Sequence, residues 1–274
     1  MVSTDRLNRL IEHEAGDLTC VVEAGIRLGE LRDLLVPYRQ ILALDPPGDP
    51  TVGACVGGAL SGPLRHRFGS MRDLLLGVTV VLADGVVASS GGKVVKNVAG
   101  YDLAKLFCGS RGTLGLVARA ALRLHPAPDA RAAVAIDVDE PATAARVTRR
   151  SLGSPLDPSA VDLLWPGRLL MLFEGSASAV EMQVNHAGRE FGAMPVPLEA
   201  FAESRERQSV ARGVVTFAPG ALEQHLLVHE EAVVRVAAGV AYIPGPVAAA
   251  VNPGVELLTE RIRREFDPAG VLAS

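Results

Sequence analysis

Two stretches decide the fold. One is Pro50-Thr-Val-Gly53-Ala-Cys-Val-Gly57-Gly58-Ala-Leu-Ser61-Gly62, and the other is Gly109-Ser-Arg-Gly112-Thr113-Leu-Gly115. Glycine lets a main chain approach a ligand closely and adopt positive φ, and successive exposed N–H groups make a concavity that suits an anion. The chemistry implied is a phosphate or an electron-rich heterocycle held by backbone; the alternative is turns and tight packing. Neither stretch is G-x-x-x-x-G-K-[ST], and neither gives G-x-G-x-x-G between strand and helix with an acidic residue downstream.

Around them the punctuation sets the elements. The spacing of Leu7, Leu10 and Ile11 behind Ser3 predicts a capped helix, followed by a strand over 18–24 ending at Gly25. A helix is expected over 28–36, stopped before Pro37, then a strand over 77–83 that turns at Asp84-Gly85. Residues 101–107 have helical spacing, and 114–124 read as a buried strand. Beyond Pro126-Ala-Pro128 the pattern becomes strand 131–138, helix 141–151, strands 161–165 and 168–174, helix 177–191 and strand 194–198. That β-α-β-β-α-β order matches a ferredoxin-like unit. A helix from about 200, a strand near 213–217, a helix near 221–231, an apolar run over 233–243 and a last helix over 254–266 follow.

Composition bounds the class. The 274 residues are 49% hydrophobic and 21% charged, which suits a globular chain of one to two domains. A net charge of −4 and 4% aromatics argue against a nucleic-acid partner. Cys20, Cys55 and Cys108 are scattered, as in a reducing, cytoplasmic protein without disulfides or a cysteine-rich metal site. The longest uncharged run, 236–255, contains Pro244, Pro246 and Pro253, so no membrane span is expected. His225 and His229 stand at i and i+4, but no third ligand is evident and no metal is expected. His66 between Arg65 and Arg67 reads as a solvated basic turn, and Arg261, Arg263 and Arg264 as a solvated helix face.

Longer motifs carry a resemblance. Thr51–Gly62, then Arg67-Phe-Gly69-Ser-Met-Arg-Asp73-Leu-Leu-Leu-Gly77, Val80-Val-Leu-Ala-Asp-Gly85, Lys96-Asn-Val-Ala-Gly100-Tyr-Asp-Leu103, Gly109–Gly115 and Leu122-x-Leu-x-Pro126 resemble the flavin-binding domain of the vanillyl-alcohol oxidase (PCMH) type. The wording over 93–103 is most similar to FAD-binding subunits of glycolate oxidase, relatives of D-lactate dehydrogenases. The resemblance implies an α/β (α+β) fold: an FAD-binding domain over 1–128, a small ferredoxin-like cap over 129–240, and a C-terminal return over 241–274. It also implies that Thr51, Gly53, Gly57, Gly58, Ser61 and Gly62 approach the FAD pyrophosphate and ribityl chain. Asp102, Gly109, Gly112, Thr113 and Gly115 would line the second flavin-contacting turn, and Leu116 and Val117 would supply backbone contacts.

The family's first pyrophosphate loop precedes the region matching Ser3–Gly25, so the domain is expected to be N-terminally truncated. Doubly linked members carry Cys where this chain has Asp49, so the FAD is expected to be non-covalent. The implied function is an FAD-dependent oxidoreductase subunit acting on a 2-hydroxy acid or relaying electrons within a complex, beside a catalytic flavoprotein subunit and an iron-sulfur subunit; the alternative is a flavin-free scaffold of such a complex. Catalytic residues are left unassigned.

Overall fold

The computed structural model describes residues 4–92, 103–247 and 253–272. They fall into two compact units: 1–61, 69–127 and 249–274 form the first, and 62–68 with 128–248 form the second.

In the first unit, β1 (Leu10–Glu14) pairs antiparallel with β2 (Thr19–Glu23). The helix expected from Leu7, Leu10 and Ile11 is therefore not formed. Without β1, β2 would present an open sheet edge, and pairing that edge outweighs a weak local helical pattern. The segment before β1 is strapped to β2. Leu7 O accepts from Gly25 N at 2.7 Å and Arg9 O from Glu23 N at 2.9 Å. The Arg9 guanidinium bonds the Glu23 carboxylate, holding it below the usual carboxylate range. A Cβ on Gly25 would lie 2.1 Å from Thr4 O, so this crossing needs glycine.

Helix α1 (Leu28–Leu35) buries Leu28, Leu31 and Leu35, and the short β3 (Gln40–Ile41) follows. The glycine-rich stretch is itself a helix, α2 (Val52–Gly58), capped by Thr51, whose hydroxyl accepts from Ala54 N. After α3 (Arg65–Phe68), which belongs to the second unit, come α4 (Met71–Leu74) and the hairpin of β4 (Leu75–Val81) with β5 (Val87–Gly91). Gly85 turns the hairpin at φ +84°. Helix α5 (Ala104–Phe107) leads to β6 (Leu116–Arg123), which pairs with both β2 and β4. The short β7 (His125–Pro126) pairs with β3. The main sheet runs β1-β2-β6-β4-β5. Val22, Leu31, Leu35, Val56, Leu75 and Leu122 form its dry core.

The second unit starts its sheet with β8 (Ala130–Val138), α6 (Pro141–Leu152), β9 (Ala160–Trp165), β10 (Gly167–Gly175), α7 (Ala177–Phe191) and β11 (Met194–Val196). Their sheet order, β11-β8-β10-β9, is the ferredoxin-like arrangement. Then come α8 (Ala200–Ser209), β12 (Gly213–Thr216), α9 (Leu222–Val228), β13 (Ala232–Arg235) and β14 (Val240–Ile243). The apolar run over 233–243 is thus two antiparallel strands that extend the sheet as β13-β14-β12. Because β14 lies inside this sheet, the return to the first unit follows residue 248 rather than beginning at 241. Leu163, Leu169 and Phe173 fill one face with residues of α6, α7 and α9, and Phe201 of α8 packs with Leu164, Leu170 and Val233 on the other. The last helix, α10 (Pro253–Phe266), returns to the first unit, where Phe266 meets Phe107 edge-on at 5.8 Å.

Candidate functional site

The two glycine motifs meet in the first unit. Gly109 N donates to Val56 O and Arg111 N to Gly57 O, each at 2.9 Å, so the 109–113 turn is bolted to the C-terminal end of α2. Beside this joint lies a cleft of ≈ 380 Å³. Its walls are α2 (Thr51, Gly53, Ala54, Gly57, Gly58), the turn (Ser110, Arg111, Gly112), and Gly115, Leu116 and Val117 at the start of β6, with Thr4 and Ala24. Pairing of β2 with β6 ends at Glu23–Arg119, which leaves 116–117 to form a wall of the cleft.

The glycines divide by what surrounds them. A Cβ on Gly53 would sit 2.9 Å from both Ala24 Cβ and Ala24 O, so Gly53 lets α2 lie against β2. Gly115 has φ +148°, with Val81 O 3.0 Å from its Cβ position. Those two are packing glycines as well as cleft residues. Gly57 and Gly112 face open space, with nothing within 4 Å of a Cβ. Gly112 holds φ +82°, and its neighbour Arg111 holds +52°, a left-handed conformation that costs a non-glycine residue roughly 1–2 kcal/mol.

The amides behave differently from the anion nest expected of these motifs. Val52 N donates to Ile26 O, Gly53 N to Ala24 O and Ala54 N to Thr51 Oγ1. Ser110 N bonds Phe107 O and Thr113 N bonds Ser110 O. With Gly109 and Arg111, these donors serve the fold. Gly109 and Thr113 line a second cleft of ≈ 520 Å³ on the other side of the turn, shared with Thr259, Ile262 and Arg263 of α10. Ser110 and Arg111 border both clefts. Ser110 Oγ is enclosed and has no hydrogen-bond partner among the described residues.

Of the other expected residues, Ser61 is buried and Gly62 is assigned to the second unit; neither lines a cleft. Asp102 lies outside the described residues, as do Lys93, Lys96 and Tyr101. Sequence reading missed Thr4, Ala24, Ala54, Ser110 and Arg111 as cleft residues; the last two sit inside the second motif and could have been taken with it. Arg263, read as part of a solvated face, borders the second cleft, while Arg264 pairs with Glu260 at 3.1 Å.

His66 is half-buried in α3; burial pushes its pKa below the ordinary value, against the pull of Asp162 and Asp157. His225 is stacked on Phe217 at 4.5 Å and stands 4.4 Å from the His229 ring, a packed cluster rather than a ligand set. No group of three or more His, Cys, Asp or Glu that could hold a metal occurs among the described residues. Burial pushes the Cys20 and Cys55 thiols up to about 12, which removes them as nucleophiles. No helix among the described residues is long and apolar enough to cross a membrane.

An antiparallel sheet with a glycine-built helix and turn at one end, joined to a ferredoxin-like second unit, is the architecture of FAD-binding domains of the vanillyl-alcohol oxidase (PCMH) type. The family model described as "FAD binding domain" matches residues 1–91, and the fold is of this type. The chain is 30% identical over 158 residues to the mitochondrial D-lactate dehydrogenase [cytochrome] 1 of Saccharomyces cerevisiae, covering 58% of this chain and 27% of that protein. It is 33% identical over 173 residues to the glycolate oxidase subunit GlcD of Bacillus subtilis, covering 61% and 36%. It therefore spans about a quarter to a third of the length of these relatives. Among solved structures, an alkyldihydroxyacetonephosphate synthase superposes with a TM-score of 0.70 over 97% of this chain and 65% of that one, at 18% identity, a likeness of fold.

Proposed function

We propose that this chain is the FAD-binding part of an oxidoreductase acting on a 2-hydroxy acid, or relaying electrons within a complex that includes a catalytic flavoprotein subunit and an iron-sulfur subunit. The observation that carries the reading is the cleft at the joint of α2 and the 109–113 turn, where Gly57 and Gly112 keep open space that any side chain would enter. Ala24, Ala54, Leu116 and Val117 give that cleft an apolar lining suited to a planar ring. The isoalloxazine ring of FAD fits this apolar lining. When bound, its isoalloxazine supplies the redox chemistry.

The chain's own part is to orient and to exclude. Thr51 fixes the start of α2, the bonds from Gly109 and Arg111 lock the turn to its end, and the start of β6 closes the wall. Asp49, at the position of the thioether cysteine in linked members, is engaged with Gly29 N at 2.8 Å, and the flavin is held non-covalently. A second reading, a flavin-free scaffold subunit, is favoured by the amides that the fold already uses.

Titrating the purified chain with FAD separates the two. Saturable binding with perturbed visible bands, and all colour released by acid, supports the first. No binding supports the second. Glycolate or D-lactate with a dye acceptor should give negligible turnover by the chain alone; turnover would show that it carries its own catalytic base.

A further inference from the structure

We propose that the exposed apolar stripe of α10 binds a second copy of this chain, with the two α10 helices packed antiparallel about a two-fold axis near Thr259. Val255, Leu258, Ile262 and Phe266 recur at helical spacing and share one face of α10. Ile262 and Phe266 pack on the core of the first unit, whereas Val255 and Leu258 on the same stripe stay 60% and 56% exposed. The N-terminal half of the helix therefore carries an apolar face without a cover. The patch continues onto α5. Leu106 borders the ≈ 520 Å³ cleft together with Ile262, and Leu103, one turn before it, is exposed. Apolar residues gathered in this way mark an interaction surface, unlike the single exposed residues scattered over any monomer.

The charges of the same helix select the partner. Glu260 is paired with Arg264 on the side away from the stripe. Glu256 and Arg263 flank the stripe on one side, about two turns apart, and have no ion-pair partner among the described residues. A second α10 running antiparallel and centred near Thr259 lays the two Val255–Leu258–Ile262 stripes along one another. It also sets Glu256 of each helix beside Arg263 of the other, and the two-fold axis makes both pairs at once, as a self-complementary contact requires. A parallel copy would place Glu256 on Glu256 and Arg263 on Arg263. The 14-residue helix is about 21 Å long, so the α5 leucines are needed to bring the contact toward the ~1,200 Å² of a specific interface.

Sedimentation velocity of the full chain over a wide concentration range tests this. The wild type should form a concentration-dependent dimer. Leu258→Glu should weaken it more than tenfold, whereas Leu257→Glu, at a comparably exposed leucine on the other side of the helix, should leave it unchanged. Glu256→Arg and Arg263→Glu should each weaken the dimer about tenfold, and the double reversal should restore it. Thermal melts of the variants check that the fold is intact. A chain that stays monomeric at every concentration overturns the proposal. So does a dimer that Leu258→Glu leaves intact, or one that Leu257→Glu weakens equally. Single charge reversals without effect, or a double reversal that fails to restore the dimer, overturn the antiparallel arrangement and with it the proposal.

Discussion

Gly57 is the residue at which packing and ligand binding separate most cleanly. It lies inside α2 with nothing within 4 Å of a Cβ, and its backbone is helical. Replacing glycine by alanine inside a helix gains about 0.5–1 kcal/mol. Gly57→Ala should therefore raise the unfolding midpoint in urea, and Gly57→Leu should fold equally well yet weaken FAD by more than tenfold, because its side chain fills the cleft. Gly53→Ala should do the opposite: its Cβ would press on Ala24, costing about 1–3 kcal/mol before any ligand is considered. In the second unit, Arg235 is 2% exposed and pairs with Asp162, which is fully buried; Ser204 bonds both. Arg235→Ala strands a buried carboxylate and should cost about 3–5 kcal/mol in a urea titration, whereas replacing both partners by leucine should cost much less.

Helix α9 carries the pH dependence. Burial, with help from His229, pushes the His225 pKa down to about 4, and His225 Nε2 has no partner among the described residues. The unfolded chain takes up that proton near pH 6.5. Between these values the unfolded state binds more protons, so stability is fully present above about 6.5 and falls as the pH drops toward 4, by a few kcal/mol. Melts at pH 7 and pH 4.5 should differ less in a His225→Leu variant than in the wild type. The same helix shows what sequence could convey. Its existence and the alternation of the second unit followed from spacing, since burial of one face leaves a periodic trace. The edge pairing of β1, the hairpin within 233–243 and the hydrogen-bond fate of the glycine amides did not. The last two depend on partners distant in sequence, β9 for β13 and Ala24 and Ile26 for the start of α2, whereas β1 joins its near neighbour β2 and was hidden by the helical spacing of Leu7, Leu10 and Ile11. The cleft was legible as a list of glycines. Which of them face ligand space became clear only once Ala24 and Val81 were placed beside Gly53 and Gly115.

At the scale of the molecule, each unit has its own dry core, one built on Val22 and Leu122 and the others on Leu163 and Phe201. Calorimetry should resolve two transitions. FAD at a hundred times its dissociation constant should add about 2.7 kcal/mol to one of them and leave the other in place; a shift of both would show that the units unfold together. The first unit is also discontinuous, since Ile262 and Phe266 of α10 pack on a core otherwise complete by residue 127. During translation, residues 62–248 emerge before that helix. The second unit thus has all its strands available while the first still lacks its last cover. At ~5–20 residues per second, the interval from residue 248 to Phe266 is about one to four seconds. For that interval the Phe107 side of the first unit's core stands open to chaperones and to neighbouring nascent chains.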